Sequence, residues 1–158
     1  MKIENFRLKN NRGITLMEIL VSIAILGMLS LIGLWYFSKA TNAQALEKDK
    51  QGLVAILQEA RSLALSSKNA LQYGVHLEEF QTVLFKGSTY DSNDPDNKYQ
   101  KFNRAIHLSA QSLNGGGIDI IFSRLTGETN NFGTITLSLI NSPFSSVTIT
   151  INNGGVIE

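Results

Sequence analysis

Arg12-Gly13-Ile14-Thr15-Leu16-Met17-Glu18-Ile19-Leu20 opens the stretch that decides the fold. From Ile14 to Phe37 the only charged residue is Glu18, and from Ile19 to Phe37 there is none: ILVSIAILGMLSLIGLWYF. Nineteen uncharged, mostly apolar residues read as a membrane-spanning helix, because at 1.5 Å per residue they cover roughly 28 Å, near the thickness of a bilayer's hydrocarbon core. The segment before them carries Lys2, Arg7, Lys9 and Arg12 against Glu4, a charge of +3. It is expected to stay in the cytoplasm, with everything after Lys39 across the membrane. Trp35, Tyr36 and Phe37 close the run where aromatic rings favour the lipid–water boundary. A secretory signal peptide would have a shorter apolar stretch and a small-residue cleavage site.

Glu18 is the residue that a plain anchor does not explain. An acidic side chain near the bilayer centre costs about 2.5–3.5 kcal/mol on insertion scales, less near the end, and it usually has a partner. Were the chain cut after Gly13, the new α-amine of Ile14 would be largely cationic at neutral pH and one helical turn from Glu18. In an assembly, Glu18 would reach the amine of a neighbouring subunit instead. The alternative is a glutamate snorkelling to the interface at a helix start, favoured by the helix dipole.

The stretch from Arg12 to Leu20 resembles the class III signal of type IV prepilins and type II secretion pseudopilins. A short basic leader, a glycine before the cut, an apolar first residue, a glutamate five residues into the mature chain and a long apolar helix occur in that order. Ile14 stands where phenylalanine is usual, and Met17 where isoleucine or valine is common. The resemblance implies cleavage between Gly13 and Ile14 by a prepilin peptidase/methyltransferase, N-methylation of Ile14, and a role for Glu18 in subunit assembly. It also implies partners: other pilins or pseudopilins through the N-terminal helix, an inner-membrane assembly platform, and membrane lipid.

Beyond the apolar run, Leu46, Leu53, Ile56, Leu57, Ala60, Leu63 and Ala64 recur at helical spacing, with no proline between Ala40 and Ser67. They predict that the helix continues to about residue 68 with one face packed on a globular head; Glu47, Lys48, Asp49, Lys50, Glu59 and Arg61 fall mostly off that face. From residue 69 the pattern turns to period two. Strands are expected in Leu71–Leu77, Thr82–Phe85, Ala105–Leu108, Ile118–Phe122, Thr134–Ile140 and Val147–Ile151. With no second helical pattern between them, the sheet is expected to be mainly antiparallel. The expected organisation is a cleaved leader over 1–13, a transmembrane and assembly half-helix over 14–37, an amphipathic half-helix over 38–68 and a β-rich head over 69–158. The fold class is α+β and pilin-like. The helix end Gln58–Ala64, Tyr73-Gly74-Val75-His76, Ile121–Gly127 and Ile149–Gly155 follow an order similar to the GspH/FimT branch of minor pilins and pseudopilins. That likeness implies a low-abundance subunit near the filament tip, in initiation or cargo contact.

With 158 residues, 14 basic and 13 acidic side chains and no cysteine, the chain has room for one domain with an appendage. It offers no thiolate chemistry, no disulfide and no cysteine-based zinc site. His76 and His107 lie in strand patterns without further ligands nearby in sequence. Asp91–Asn97 is oxygen-rich but fails the spacing of a calcium loop, and Asn114–Gly117 precedes a strand rather than a helix. Neither a catalytic set nor a cofactor or metal site is expected, and the chain is not expected to be an enzyme. Lys98, Tyr99, Lys101, Phe102 and Arg104 interleave cations with aromatics, a pattern that suits single-stranded nucleic acid and also a solvated loop before a strand. Three functions follow: a minor pilin or pseudopilin of a type IV pilus or type II secretion-type filament; a DNA-uptake, FimT-like pilin; and, from another class, a membrane-anchored enzyme or binding domain. The expected location is the bacterial inner membrane, single-pass, with the head on the extracytoplasmic side, and a pilus or pseudopilus after assembly.

Overall fold

The computed structural model describes residues 13–158, except for the side chains of 32–40. The leader expected over residues 1–13 therefore lies, up to residue 12, outside the described residues. One helix, α1 (Leu16–Leu65), is followed by a single 3-10 turn at Lys68–Ala70 and seven strands. These are β1 (Tyr73–Leu77), β2 (Gln81–Lys86), β3 (Lys98–Lys101), β4 (Ile106–Leu113), β5 (Asp119–Phe122), β6 (Gly133–Leu139) and β7 (Ser142–Ile151). The chain divides into two compact units, Met1–Lys39 and Ala40–Glu158. Among the described residues no helix is long and apolar enough to cross a membrane. The apolar run counted in the sequence continues into 32–40, whose side chains are outside the description.

Within the second unit the strands form two antiparallel sheets, one of four strands in the order β3-β2-β1-β5 and one of three in the order β4-β6-β7. A single apolar cluster takes Leu53, Ile56, Leu57, Ala60 and Ala64 from α1. It takes Val75, Leu84, Ile120 and Phe122 from the first sheet, and Ile106, Ile135, Leu137 and Ile149 from the second. The helical face read from the sequence is the buried one; only Leu63 of that set is merely half-buried. Strand alternation works in the same way. Ile135, Leu137, Ile149 and Ile151 face the core, while Thr136 and Thr148 stand on the opposite face with their hydroxyls 3.1 Å apart.

The outer face of the four-stranded sheet has its own cover. Gly74 lies opposite Phe85, whose ring would come within 2.5 Å of any added Cβ. The segment between β2 and β3 lays Tyr90 over His76, ring centroids 3.9 Å apart, and against Phe85.

Three sequence expectations need correction. α1 stops at Leu65 rather than near 68, where Ser67, Asn69 and Ala70 adopt left-handed backbone. The segment Lys98–Lys101, read as a loop, is edge strand β3, paired to β2 from Gln81↔Lys101 to Leu84↔Lys98. Asp49, placed off the packed face, is buried, and its Oδ2 accepts the backbone N–H of Asn103 at 2.6 Å. Leaving that N–H without an acceptor costs about 1–3 kcal/mol. We expect Asp49→Ala to lower the unfolding free energy by about that amount in a urea titration, whereas Lys48→Ala, exposed one position away, stays within about 0.5 kcal/mol.

Candidate functional site

The residues that carry the signal sit at the start of α1. Thr15 caps the helix: its Oγ1 accepts the Glu18 backbone N–H at 3.2 Å, and its carbonyl accepts the same N–H at 3.1 Å. Thr-x-x-Glu is the capping-box order, with the glutamate in the first turn, where the helix dipole favours a negative charge. Glu18 is exposed, and so is every large apolar residue from Ile14 to Leu31. Added Cβ atoms at Gly13 or Gly27 would meet nothing within 4 Å. Ser22 and Ser30 return their hydroxyls to the carbonyls of Glu18 and Leu26, at 2.7 and 2.8 Å. That removes their need for water and suits a helix meant for apolar surroundings. A soluble protein does not leave an apolar surface of this extent open unless something else covers it. The arrangement is suited to association.

The basic and aromatic candidates of the head are not brought to one face. In β3, Lys98 and Gln100 turn toward α1: Lys98 Nζ is 2.6 Å from Glu59 Oε2, and Gln100 lies against Gly52. Tyr99 and Lys101 alternate to the other side, and Tyr99 is half exposed. Phe102 is 9% exposed and belongs to the core cluster, so its ring is not available for stacking. Lys101 and Arg104 are exposed, and among the described residues neither has an ion-pair partner.

The oxygen-rich segment is a pair of side-chain-stabilised turns. Asp91 accepts the Asn93 N–H and Asp94 the Asp96 N–H, each at 2.9 Å, while Lys86 bridges Asp94 and Asp96. The Asp96 N–H, and behind it Lys86, hold the Asp94 carboxyl below its ordinary range. Hydrogen bonds to Asp96 and Asp94 raise Lys86. The ammonium thus occupies the centre that a cation would need. Among the described residues no group of three or more His, Asp or Glu is placed to hold a metal ion.

His76 Nδ1 lies 2.5 Å from Asp119 Oδ1 under the Tyr90 ring, and burial pushes the Tyr90 phenol up. That cluster fastens the 87–97 segment to the sheet. Gly115 and Gly116 have positive φ, in the turn between β4 and β5. Since Phe102 packs in the core and Lys101 and Arg104 do not, Phe102→Ala should cost about 3–5 kcal/mol of stability. The double change Lys101→Ala with Arg104→Ala should stay within about 0.5 kcal/mol; thermal unfolding of the three chains checks the contrast.

Three comparisons bear on this site. Residues 8–34 match the model of the prokaryotic N-terminal methylation motif. No curated protein matches the chain. Among solved structures, the minor pseudopilin EpsH from the Type 2 Secretion System of Vibrio cholerae superposes with a TM-score of 0.55, at 14% identity, over 72% of this chain and 94% of that one. At that identity the likeness is one of fold: an N-terminal helix packed on antiparallel sheets. The chain thus joins a prepilin-type methylation motif to a minor-pseudopilin fold, and it is pilin-like.

Proposed function

We propose that this chain is a minor pilin or pseudopilin subunit that acts by assembly rather than catalysis. The observation that carries the reading is the methylation motif on the first turns of a helix whose apolar side chains are all exposed from Ile14 to Leu31. The basic leader orients insertion, with the head outside. A prepilin peptidase cuts between Gly13 and Ile14 and methylates the Ile14 amine. Glu18, exposed in the first turn, pairs with the amine of an adjacent subunit. In the low dielectric of a helix bundle such a pair is strong, and an uncompensated carboxylate is strongly disfavoured. The apolar helices bundle as the filament core, and the β-rich head sets the partners. The fold shared with a minor pseudopilin of a type II secretion system supports a role in a secretion-type filament.

The test is mass spectrometry of the N-terminal peptide from sheared surface filaments and from membranes. A methylated peptide beginning at Ile14 is expected, at low level in filaments for a pilus subunit, or confined to membranes for a secretion pseudopilin. A chain still beginning at Met1 in both fractions would overturn the reading. Glu18→Ala should reduce incorporation by about tenfold or more, the effect of losing roughly 1.4 kcal/mol. An anchored enzyme would be indifferent to that change.

A further inference from the structure

Three loops of the head converge beside the residues of α1 that first enter its core. The Asn103 N–H donates to Asp49, the Phe102 N–H to the Phe80 carbonyl at 3.0 Å, and the Ile140 N–H to the Ala105 carbonyl at 2.9 Å. The β1–β2 turn, the β3–β4 connection and the β6–β7 hairpin tip therefore share one end of the head with Ala45–Asp49. Each outer loop exposes an apolar side chain there: Phe80 is 50% exposed, Ile140 45%, and Phe144 is fully exposed. Phe144 stands where β7 leaves the ladder, since Leu139 pairs with Ser142 but Ser138 with Ser146.

The charges at this end balance. In the segments that meet there, Lys48, Lys50, Lys101 and Arg104 are matched in number by Glu47, Asp49, Glu78 and Glu79. A partner drawn by long-range charge is therefore not what this surface selects. Apolar side chains exposed on separate loops of one end are suited to enter a soft medium.

We propose that this end of the head is a second lipid contact, with Phe144, Ile140 and Phe80 entering the membrane surface in the unassembled subunit. The inference rests on reading the run to Phe37 as the membrane anchor. Ala45 is eight positions after Phe37. Even fully extended those eight steps reach at most about 29 Å, and as helix about 12 Å, so the end bearing these side chains is the one a membrane anchor would keep beside the bilayer. Tethering makes the contact effectively intramolecular, so a few apolar side chains suffice to hold it. The contact would dock the head on the membrane before assembly and be given up when the subunit leaves the bilayer for the filament.

The cysteine-free chain permits a direct test with the full protein in phospholipid vesicles, neutral or containing phosphatidylglycerol. Single replacements Phe144→Cys, Leu26→Cys and Asn153→Cys each carry an environment-sensitive fluorophore, and the vesicles carry spin-labelled phospholipid as quencher. Leu26 lies in the apolar run, and Asn153 in the turn that meets Arg61 near the far end of α1. The expected result is quenching at 144 by about twofold or more, as at 26 but not at 153. It should be similar in both vesicle types and at high salt, and reduced to the level of 153 by Phe80→Ser with Ile140→Ser.

A label at 144 that stays as unquenched as 153 while 26 is quenched overturns the contact and leaves the anchor standing. No quenching at 26 overturns the anchor and the contact together. Quenching that appears only with anionic lipid, or that added single-stranded DNA displaces, overturns the apolar contact in favour of a charge-selected partner.

Discussion

One helix has to satisfy two surroundings, and the rest of the molecule depends on how it does so. From Leu46 to Ala64 its buried residues repeat at seven and four, so a single stripe is dry. From Ile14 to Leu31 the apolar residues lie on all sides, which no one-sided packing partner can cover. The first pattern fits a globular core and the second a bilayer or a bundle of like helices. The change of pattern along one uninterrupted helix is what makes the chain pilin-like. Alanine at 60 and 64, both fully buried, matters to the first pattern because small side chains let the sheets approach the helix closely. Each fully buried leucine beside them contributes about 1.5–3 kcal/mol.

Polar groups then fix the loops to that stripe. Near its start Asp49 receives the Asn103 N–H. Near its end Arg61 Nη2 donates to the Gly154 carbonyl at 3.0 Å, and the Leu125 N–H donates to the Ala64 carbonyl at 3.0 Å. The second of these adds a donor from the head to a carbonyl of the last turn that also accepts the Ser67 N–H at 3.0 Å. It is accompanied by a left-handed Leu125, an uncommon backbone for a γ-branched residue. Gly155 could not be replaced without collision, since it has positive φ and an added Cβ would strike the Gly127 carbonyl. The head is thus pinned to α1 at both ends by hydrogen bonds, while its middle is held by apolar contact.

These anchors also explain what the sequence did and did not disclose. The packed helical face was legible because apolar spacing at 3.6 residues per turn needs no knowledge of the partner. The strand cores were legible for the same reason at period two. The methylation signal was legible because its residues are contiguous. Asp49 was not, because its reason for burial is a backbone N–H 54 residues away. β3 was missed because Lys98-Tyr99-Gln100-Lys101 shows no apolar alternation; as an edge strand paired on one side only, it has no buried face to advertise. Phe102 read as part of a basic-aromatic patch, yet it is drawn into the core by the same loop that Asp49 fastens. In each case the deciding interaction is long-range.

The second sheet raises a separate problem, whose solution is also written in the chain. From Thr129 to Ile157 no residue is charged, yet β7 lies at an edge, and proteins commonly guard such edges with lysine or glutamate. Here the guard is geometric. Pro143, Phe144 and Ser145 are displaced from the ladder by the register shift between Ser138 and Leu139. The last turns of β7 are closed by the C-terminal residues, with Thr150 and Glu158 exchanging both backbone hydrogen bonds at 2.9 Å and Ile157 bridging Ile151. Bulge and tail leave only a few unpaired backbone groups between them. A surface free of charge can then be kept on the outer face, where serine and threonine hydroxyls stand over Ile135, Leu137 and Ile149. The same bulge that breaks the edge is what thrusts Phe144 into solvent, so the protection of one surface creates the exposed contact of another.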